Sequence, residues 1–264
     1  MIPLKFALCF GASRMTYLRY VTFLTLRHFH PDASIELYVP KKYAQSGDWS
    51  GETQDYLTAH EKKDYFPELA KLNVQIVTSE MNNEYSPVYQ ADFLRWWWLA
   101  QSGGIYLDTD QLILRSFNTL PLNENDFIYS AYPAKLVKIY YPVGVLCAAP
   151  DCEIVPYIRD IVKKYYNAKV YNSCGPDMMR SVLFSRQWKD TMFNAPPHYF
   201  YPVPESYLTK DIYSGAYKPI KESYAMHWFG GHQLSQRFNM AFTEGFAKHS
   251  NDSISVFLRA NNLV

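Results

Sequence analysis

The chain has 264 residues, 48% of them hydrophobic and 19% charged, with a formal net charge of +1. That length allows one sizeable α/β domain, and the near-neutral balance gives no electrostatic reason to expect nucleic acid as the main partner. No apolar stretch approaches a membrane span, and Cys9, Cys147, Cys152 and Cys174 form neither a CxxC pair nor a zinc-type spacing, so reduced thiols are expected.

Taken in chain order, residues 4–10 form an apolar run ending at Gly11 and read as a buried first strand. Pro3 and Lys5 interrupt that run, which argues against a signal peptide or anchor. A cytoplasmic protein is expected, with peripheral membrane association left open. Residues 14–29 carry apolar side chains at helical spacing (Leu18, Val21, Phe23, Leu24, Leu26), and 35–39 form a second strand closed by Pro40. Residues 41–69 are polar and read as loop or short helices, 73–78 as a third strand. A helix over 88–102 stops at Gly103-Gly104, and the short strand 105–108 (IYLD) follows. The chain breaks at 109–111 and resumes as extended structure at 112–114.

The second half is less regular. Residues 127–132 and 136–149 read as strands paired antiparallel; 154–166 and 176–184 read as helices, the latter entered by Gly175-Pro176. Residues 194–204 are loop-like, 223–228 a short strand, and 233–248 a final helix. The strand–helix alternation of the first half predicts an α/β fold with a mainly parallel sheet flanked by helices. Ligands of such sheets sit at the carboxyl ends of the strands, where Asp108 falls. With no repeat or linker, one domain over 1–264 is expected. Aromatic residues reach 17%, including 23 tyrosines, which permits sugar or base stacking while most fill the core.

The stretch Tyr89–Leu114, YQADFLRWWWLAQSGGIYLDTDQLIL, concentrates the chemistry. Asp92 and Arg95 are three apart on a helix and share a face; they can pair or reach one ligand. The strand after the double glycine delivers Asp108 and Asp110 to a turn. A bent Asp-Thr-Asp supplies hard oxygen ligands for Mg²⁺ or Mn²⁺, which a diphosphate also ligates. Taken alone such a pair is more often a solvated turn, but here every fixed position of D-x-x-R-x-x-x-L-x-x-x-G-G-I-Y-x-D-x-D is filled.

That pattern resembles the DXD-containing glycosyltransferases, a family including yeast-type α-mannosyltransferases, bacterial capsular sugar transferases and, more distantly, glucosylating clostridial toxins. The match covers residues 91–114. It implies a GT-A-type, Rossmann-like fold, with residues 1–115 binding a nucleotide-sugar donor and 116–264 binding the acceptor. It also implies Mn²⁺ or Mg²⁺ as cofactor. By resemblance Asp92 and Arg95 hold donor sugar hydroxyls and Tyr106 lines the nucleotide. Asp108 touches ribose or sugar and metal, and Asp110 ligates the metal directly. Phe10-Gly11-Ala12 matches the loop that cradles the base. Gly175-Pro176-Asp177 looks like the family's Gly-Pro loop beside the donor sugar, and His227 like the late histidine that completes the metal site. A Ser-Trp pair usual beyond that histidine is replaced by His232-Gln233, so His232 becomes a candidate for the diphosphate contact. The implied reaction is transfer of a hexose, from UDP-hexose first and a GDP-sugar second, to a glycan or other hydroxyl acceptor with retention. Asp177 is the residue to test as base if configuration inverts. Tyr199, Tyr201, Tyr207, Tyr213 and Tyr217 are candidate acceptor walls.

Two other readings compete. A haloacid-dehalogenase-like phosphohydrolase also ends an apolar strand in Asp-x-Asp, although near the start of its domain and with a later Lys and acidic pair not found here. A catalytically inactive sugar-binding protein on the same fold is the non-enzymatic alternative.

Overall fold

The computed structural model describes residues 1–41, 63–80, 85–133, 139–185, 187–219 and 221–264. Most of the polar stretch 41–69, and the start of the strand expected at 136–149, therefore lie outside the described residues. The strands are β1 (Lys5–Cys9), β2 (Ser34–Pro40), β3 (Gln75–Ser79), β4 (Gly104–Leu107), β5 (Gln111–Ile113), β6 (Phe127–Ser130), β7 (Val145–Ala148), β8 (Met192–Ala195) and β9 (Ala225–His227). The α-helices are α1 (Tyr17–Phe29), α2 (Pro87–Ser102), α3 (Ile154–Ile161), α4 (Pro176–Ser185), α5 (Gln233–Ala241), α6 (Glu244–His249) and α7 (Ser253–Ala260).

Among the described residues, seven strands form the main sheet in the order β3–β2–β1–β4–β7–β6–β8. β3, β2, β1 and β4 run parallel, β7 is antiparallel to both β4 and β6, and β8 is parallel to β6. The sheet is mixed and mostly parallel, as the strand–helix alternation leads one to expect, and the antiparallel 127/148 pairing is present with Phe127 opposite Ala148. β4 lies at the centre and is buried along its whole length, which is why GIYL carries no polar alternation.

Helix α2 aims the chemistry of the first half at the end of β4. Pro87 stands in its first turn, and the helix stops at Gly103, whose φ of 61° an L side chain adopts at a cost. A Cβ on Gly103 would also stand 2.6 Å from the Pro150 nitrogen. The helix buries Trp96 and Trp98 and leaves Trp97 exposed. Burying one such aromatic completely stabilises the fold by about 2–3 kcal/mol. Asp92 and Arg95 ride on the buried face, 3% exposed each.

The chain then changes sheets. Asp108 N–H still donates to the Gly144 carbonyl at 2.8 Å, continuing the β4–β7 ladder one step past the strand. Three residues later Gln111 opens β5, which pairs antiparallel with β9 in a separate two-stranded sheet. The Asp-Thr-Asp segment is the bend between the two sheets.

The C-terminal half departs from the expected elements. β8 includes Asn194 and Ala195, inside the stretch read as loop. The helix expected over 233–248 is two helices, because Phe242 is extended and Thr243 caps α6 by accepting the Phe246 N–H. The expected helix over 154–166 is α3 followed by a 3₁₀ turn at Val162–Tyr165. Helix α7 was not anticipated; Asp252 caps it with two backbone N–H contacts, from Ile254 and Ser255.

Candidate active site

Thr109 and Asp110 form a turn rather than a strand, and the bend brings the Asp108 and Asp110 carboxylates together with His227. Thr109 is tied down: its hydroxyl accepts from Arg19 Nη1 at 2.9 Å and its carbonyl accepts from Thr22 Oγ1 at 2.9 Å. The Asp110 carbonyl accepts the Trp228 N–H at 3.0 Å, and Asp110 Oδ2 accepts the Gly230 N–H at 2.6 Å. Helix α1 and the segment after β9 therefore clamp the turn from two sides.

Asp110 Oδ1 lies 3.0 Å from His227 Nε2 and 3.9 Å from Arg19 Nη1. Burial alone would raise this carboxyl's pKa, but His227, Arg19 and the Gly230 N–H outweigh it and hold Asp110 well below the usual carboxylate range. The His227 imidazole is correspondingly raised: burial opposes its charge, and Asp110 more than compensates. Asp108 is shifted up, chiefly by burial and further by Asp110, with Arg95 the main opposing influence. Asp108, Asp110 and His227 each offer a ligand atom within 4.8 Å of the other two. Two hard carboxylate oxygens and one imidazole are a donor set that fits a divalent cation.

Arg95 is the second hub. Its Nη2 sits 3.0 Å from Asp92 Oδ1 and 3.3 Å from Asp108 Oδ1; Nη1 donates to the Val143 carbonyl and Nε to the Ala91 carbonyl at 3.4 Å. The guanidinium also lies 4.7 Å above the Tyr106 ring. The resemblance puts Arg95 on donor hydroxyls. In the structure Nη2 bridges Asp92 and Asp108, so the side chain also braces these two carboxylates. Asp92 is pushed up to about 7 by burial, with Arg95 pulling the other way. Tyr106 is completely buried under Arg95, so its ring backs the guanidinium instead of forming an open nucleotide wall.

The other expected residues divide. Gly175 reaches the site: a Cβ there would stand 3.3 Å from Asp92 Oδ1. Asp177, two residues on, pairs with Arg180 at 3.7 Å in the first turn of α4. Phe10 and Ala12 are buried after β1, and Gly11 packs so closely on Pro87 that a Cβ would meet its ring at 2.6 Å. His232 caps α5, its Nδ1 accepting the Leu234 N–H at 3.2 Å, with Nε2 3.8 Å from Glu205. Among the tyrosines, Tyr213 is committed to the core through Trp228, Ser235 and Phe238, whereas Tyr207 stays exposed. Tyr201 stands beside the site, its ring 5.7 Å from His227.

Arg19, Thr22, Gln111, Gly144 and the Gly230 N–H were not singled out from the sequence. All but Gln111, which directly follows the turn, reach it from distant parts of the chain. Only the polar Arg19, Thr22 and Thr25 on the otherwise apolar inner face of α1 gave a local sign.

Residues 23–127 match the family model described as the glycosyltransferase sugar-binding region containing a DXD motif. Curated proteins yielded no sequence match. Among solved structures, the apo form of the glycosyltransferase GlyE from Streptococcus pneumoniae TIGR4 superimposes with a TM-score of 0.52 at 11% identity, over 99% of this chain and 64% of that one. The PaToxG glycosyltransferase gives 0.47 at 15% identity, covering 98% and 87%. The galactosyltransferase LgtC, solved with donor and acceptor sugar analogs, gives 0.43 at 14% identity, covering 91% and 98%.

Proposed function

From a chain that carries the DXD-type glycosyltransferase sugar-binding region on a GT-A fold, we infer a metal-dependent transferase that moves a hexose from a nucleotide sugar to a hydroxyl acceptor. One observation supports this most: the bend between β4 and β5 brings Asp108, Asp110 and His227 within 4.8 Å at the carboxyl end of a central parallel strand. Mn²⁺ is the cation we favour and Mg²⁺ the second, since the set mixes carboxylates with an imidazole. Bound there, the cation would offset the charge that gathers on the leaving nucleoside diphosphate.

The protein's own groups supply orientation. Asp92, packed beside Gly175, and Asp108, both braced by Arg95, would offer acceptors to sugar hydroxyls. The pinned Thr109 turn keeps Asp110 and His227 aligned at the diphosphate side. The loop Phe10–Ala12, following β1 at the same end of the sheet, is the proposed base contact. UDP-hexose is the preferred donor, a GDP-sugar the alternative, and retention the expected outcome; Asp177 is the base to test if the product is inverted. Exposed Tyr207 is offered as an acceptor wall. We place both donor and acceptor halves in one domain over 1–264.

The test is nucleoside diphosphate release from a panel of UDP- and GDP-sugars with and without Mn²⁺. Metal-dependent release supports the transferase. Phosphate release from simple monoesters would instead support a phosphohydrolase, and donor binding without turnover a sugar-binding protein. None of the helices among the described residues is long and apolar enough to cross a membrane.

A further inference from the structure

Gln111 is the residue whose chemistry the site leaves unexplained. It opens β5 directly opposite His227 and is completely buried, yet among the described residues neither Nε2 nor Oε1 has a hydrogen-bond partner. A primary amide is costly to bury in that state, and such groups in folded proteins call for a reason.

Its surroundings supply one. A Cβ placed on Gly144 would stand 2.8 Å from Asp108 Oδ2, 3.3 Å from Gln111 Nε2 and 3.4 Å from Tyr201 Oη. Three polar atoms thus converge on the spot that a glycine keeps clear. Tyr201 Oη accepts the Val145 N–H at 3.0 Å, which leaves its own O–H to donate. Asp108 Oδ1 is held by Arg95 at 3.3 Å, and Oδ2 faces the amide side.

We propose that Gln111 is the positioning residue for Asp108, its Nε2–H turning onto Oδ2 when the carboxylate takes a divalent cation, while its Oε1 accepts from Tyr201. The chain Val145 N–H, Tyr201, Gln111, Asp108 satisfies both amide atoms at once. Arg95 and Gln111 then grip the carboxylate from opposite sides and fix the direction in which it presents its remaining lone pairs. Any side chain at 144 would separate the amide from the carboxylate. This inference rests on the metal site proposed above and assigns a residue outside the Asp-Thr-Asp motif to it.

The experiment is Mn²⁺ affinity of the chain without donor, read by electron paramagnetic resonance of free Mn²⁺, together with the melting temperature without metal. Gln111→Met, of similar shape but with no amide, is expected to bind Mn²⁺ about 10- to 100-fold more weakly. Its metal-free melting temperature should be unchanged or higher, because an unpaired amide has been replaced by an apolar group. Gln111→Asn, one methylene short, should fall in the same direction, as should Tyr201→Phe by a smaller factor. A Gln111→Met protein binding Mn²⁺ within twofold of wild type overturns the proposal. So does an unchanged Mn²⁺ affinity with a raised KM for the donor, which would put the amide on the sugar. Wild-type protein that binds no Mn²⁺ would overturn the metal site itself, and this inference with it.

Discussion

Replacing Arg95 by Met removes the cation that lies between buried Asp92 and partly exposed Asp108. The guanidinium is 3% exposed, pairs with Asp92 at 3.0 Å and Asp108 at 3.3 Å, and also donates to the Val143 and Ala91 carbonyls. Deleting one partner of such a buried pair costs about 3–5 kcal/mol, because the charge left behind is neither solvated nor matched. At roughly 2–4 °C per kcal/mol for a chain of this size, the melting temperature should fall by roughly 6–20 °C at pH 7.5. The loss should shrink on acidification, and the sign follows from Asp92. Its folded pKa, about 7, lies above the ordinary value of 3.8, so the folded state binds more protons than the unfolded state between those values. Stability contributed by this group therefore rises as pH falls through that window, and without Arg95 the carboxyl is raised further. Differential scanning fluorimetry of wild type and Arg95→Met at pH 7.5 and 5.5 reads both effects. A variant melting within about 2 °C of wild type at pH 7.5, or losing more at pH 5.5, refutes the reasoning. Arg95→Lys should recover little, since an ammonium cannot fork to two carboxylates and two carbonyls.

His30 should make the wild-type fold acid-sensitive for a different reason. Its buried ring contacts the Leu26 carbonyl through Nδ1 and accepts the Phe117 N–H at Nε2, and burial pushes it down to about 4 from 6.5. The unfolded chain binds more protons in that window, so this contribution is full above about pH 6.5 and is lost as pH falls towards 4, by at most about 3 kcal/mol. A denaturant midpoint series in which His30→Gln shows the same slope between pH 6.5 and 4 as wild type would contradict this. Gly103→Ala forces an L side chain to φ 61° and a Cβ to 2.6 Å from the Pro150 nitrogen, and should destabilise by about 2 kcal/mol or more in urea unfolding. Arg19→Met should loosen the turn without removing a metal ligand: about tenfold lower donor turnover at saturating Mn²⁺, with α1 helicity kept by circular dichroism.

How far the sequence reaches follows from which forces are local. β1 to β4 and the helices between them were readable because buried parallel strands write continuous apolar runs and α2 ends in a double glycine. Asp92, Arg95, Asp108 and Asp110 lie within one short window, so their spacing alone carried the site. Arg19 and Gly144 reach the turn from distant segments, which no window displays. Gln111 directly follows the turn, and it is buried where β5 pairs with β9. β8 was hidden because MFNA lacks alternation and runs straight into a Pro-rich segment, and its strand character comes from pairing with β6. The split between α5 and α6 turns on the backbone of Phe242, whose apolar side chain continues the helical pattern while its dihedrals do not. For Arg95, spacing shows that it can share a ligand with Asp92, and the geometry adds its contacts with Asp108, Val143 and Ala91.

The central claim is that Asp110 belongs to a cation and nucleotide-sugar site, and donor-induced stabilisation tests it most directly. Ligand at about 100 times its Kd stabilises the native state by about 2.7 kcal/mol, roughly 5–10 °C in melting temperature for a chain of this size. Wild-type protein with Mn²⁺ and its preferred nucleotide sugar should show that rise and lose it when EDTA is added. Asp110→Asn keeps the shape and can still accept the Gly230 N–H but gives up the charge pairing with His227 and Arg19, so it should melt below wild type alone, show no metal-dependent rise and release no nucleoside diphosphate. An Asp110→Asn protein that is stabilised by Mn²⁺ and donor as strongly as wild type, and turns the donor over at a comparable rate, would contradict the assignment.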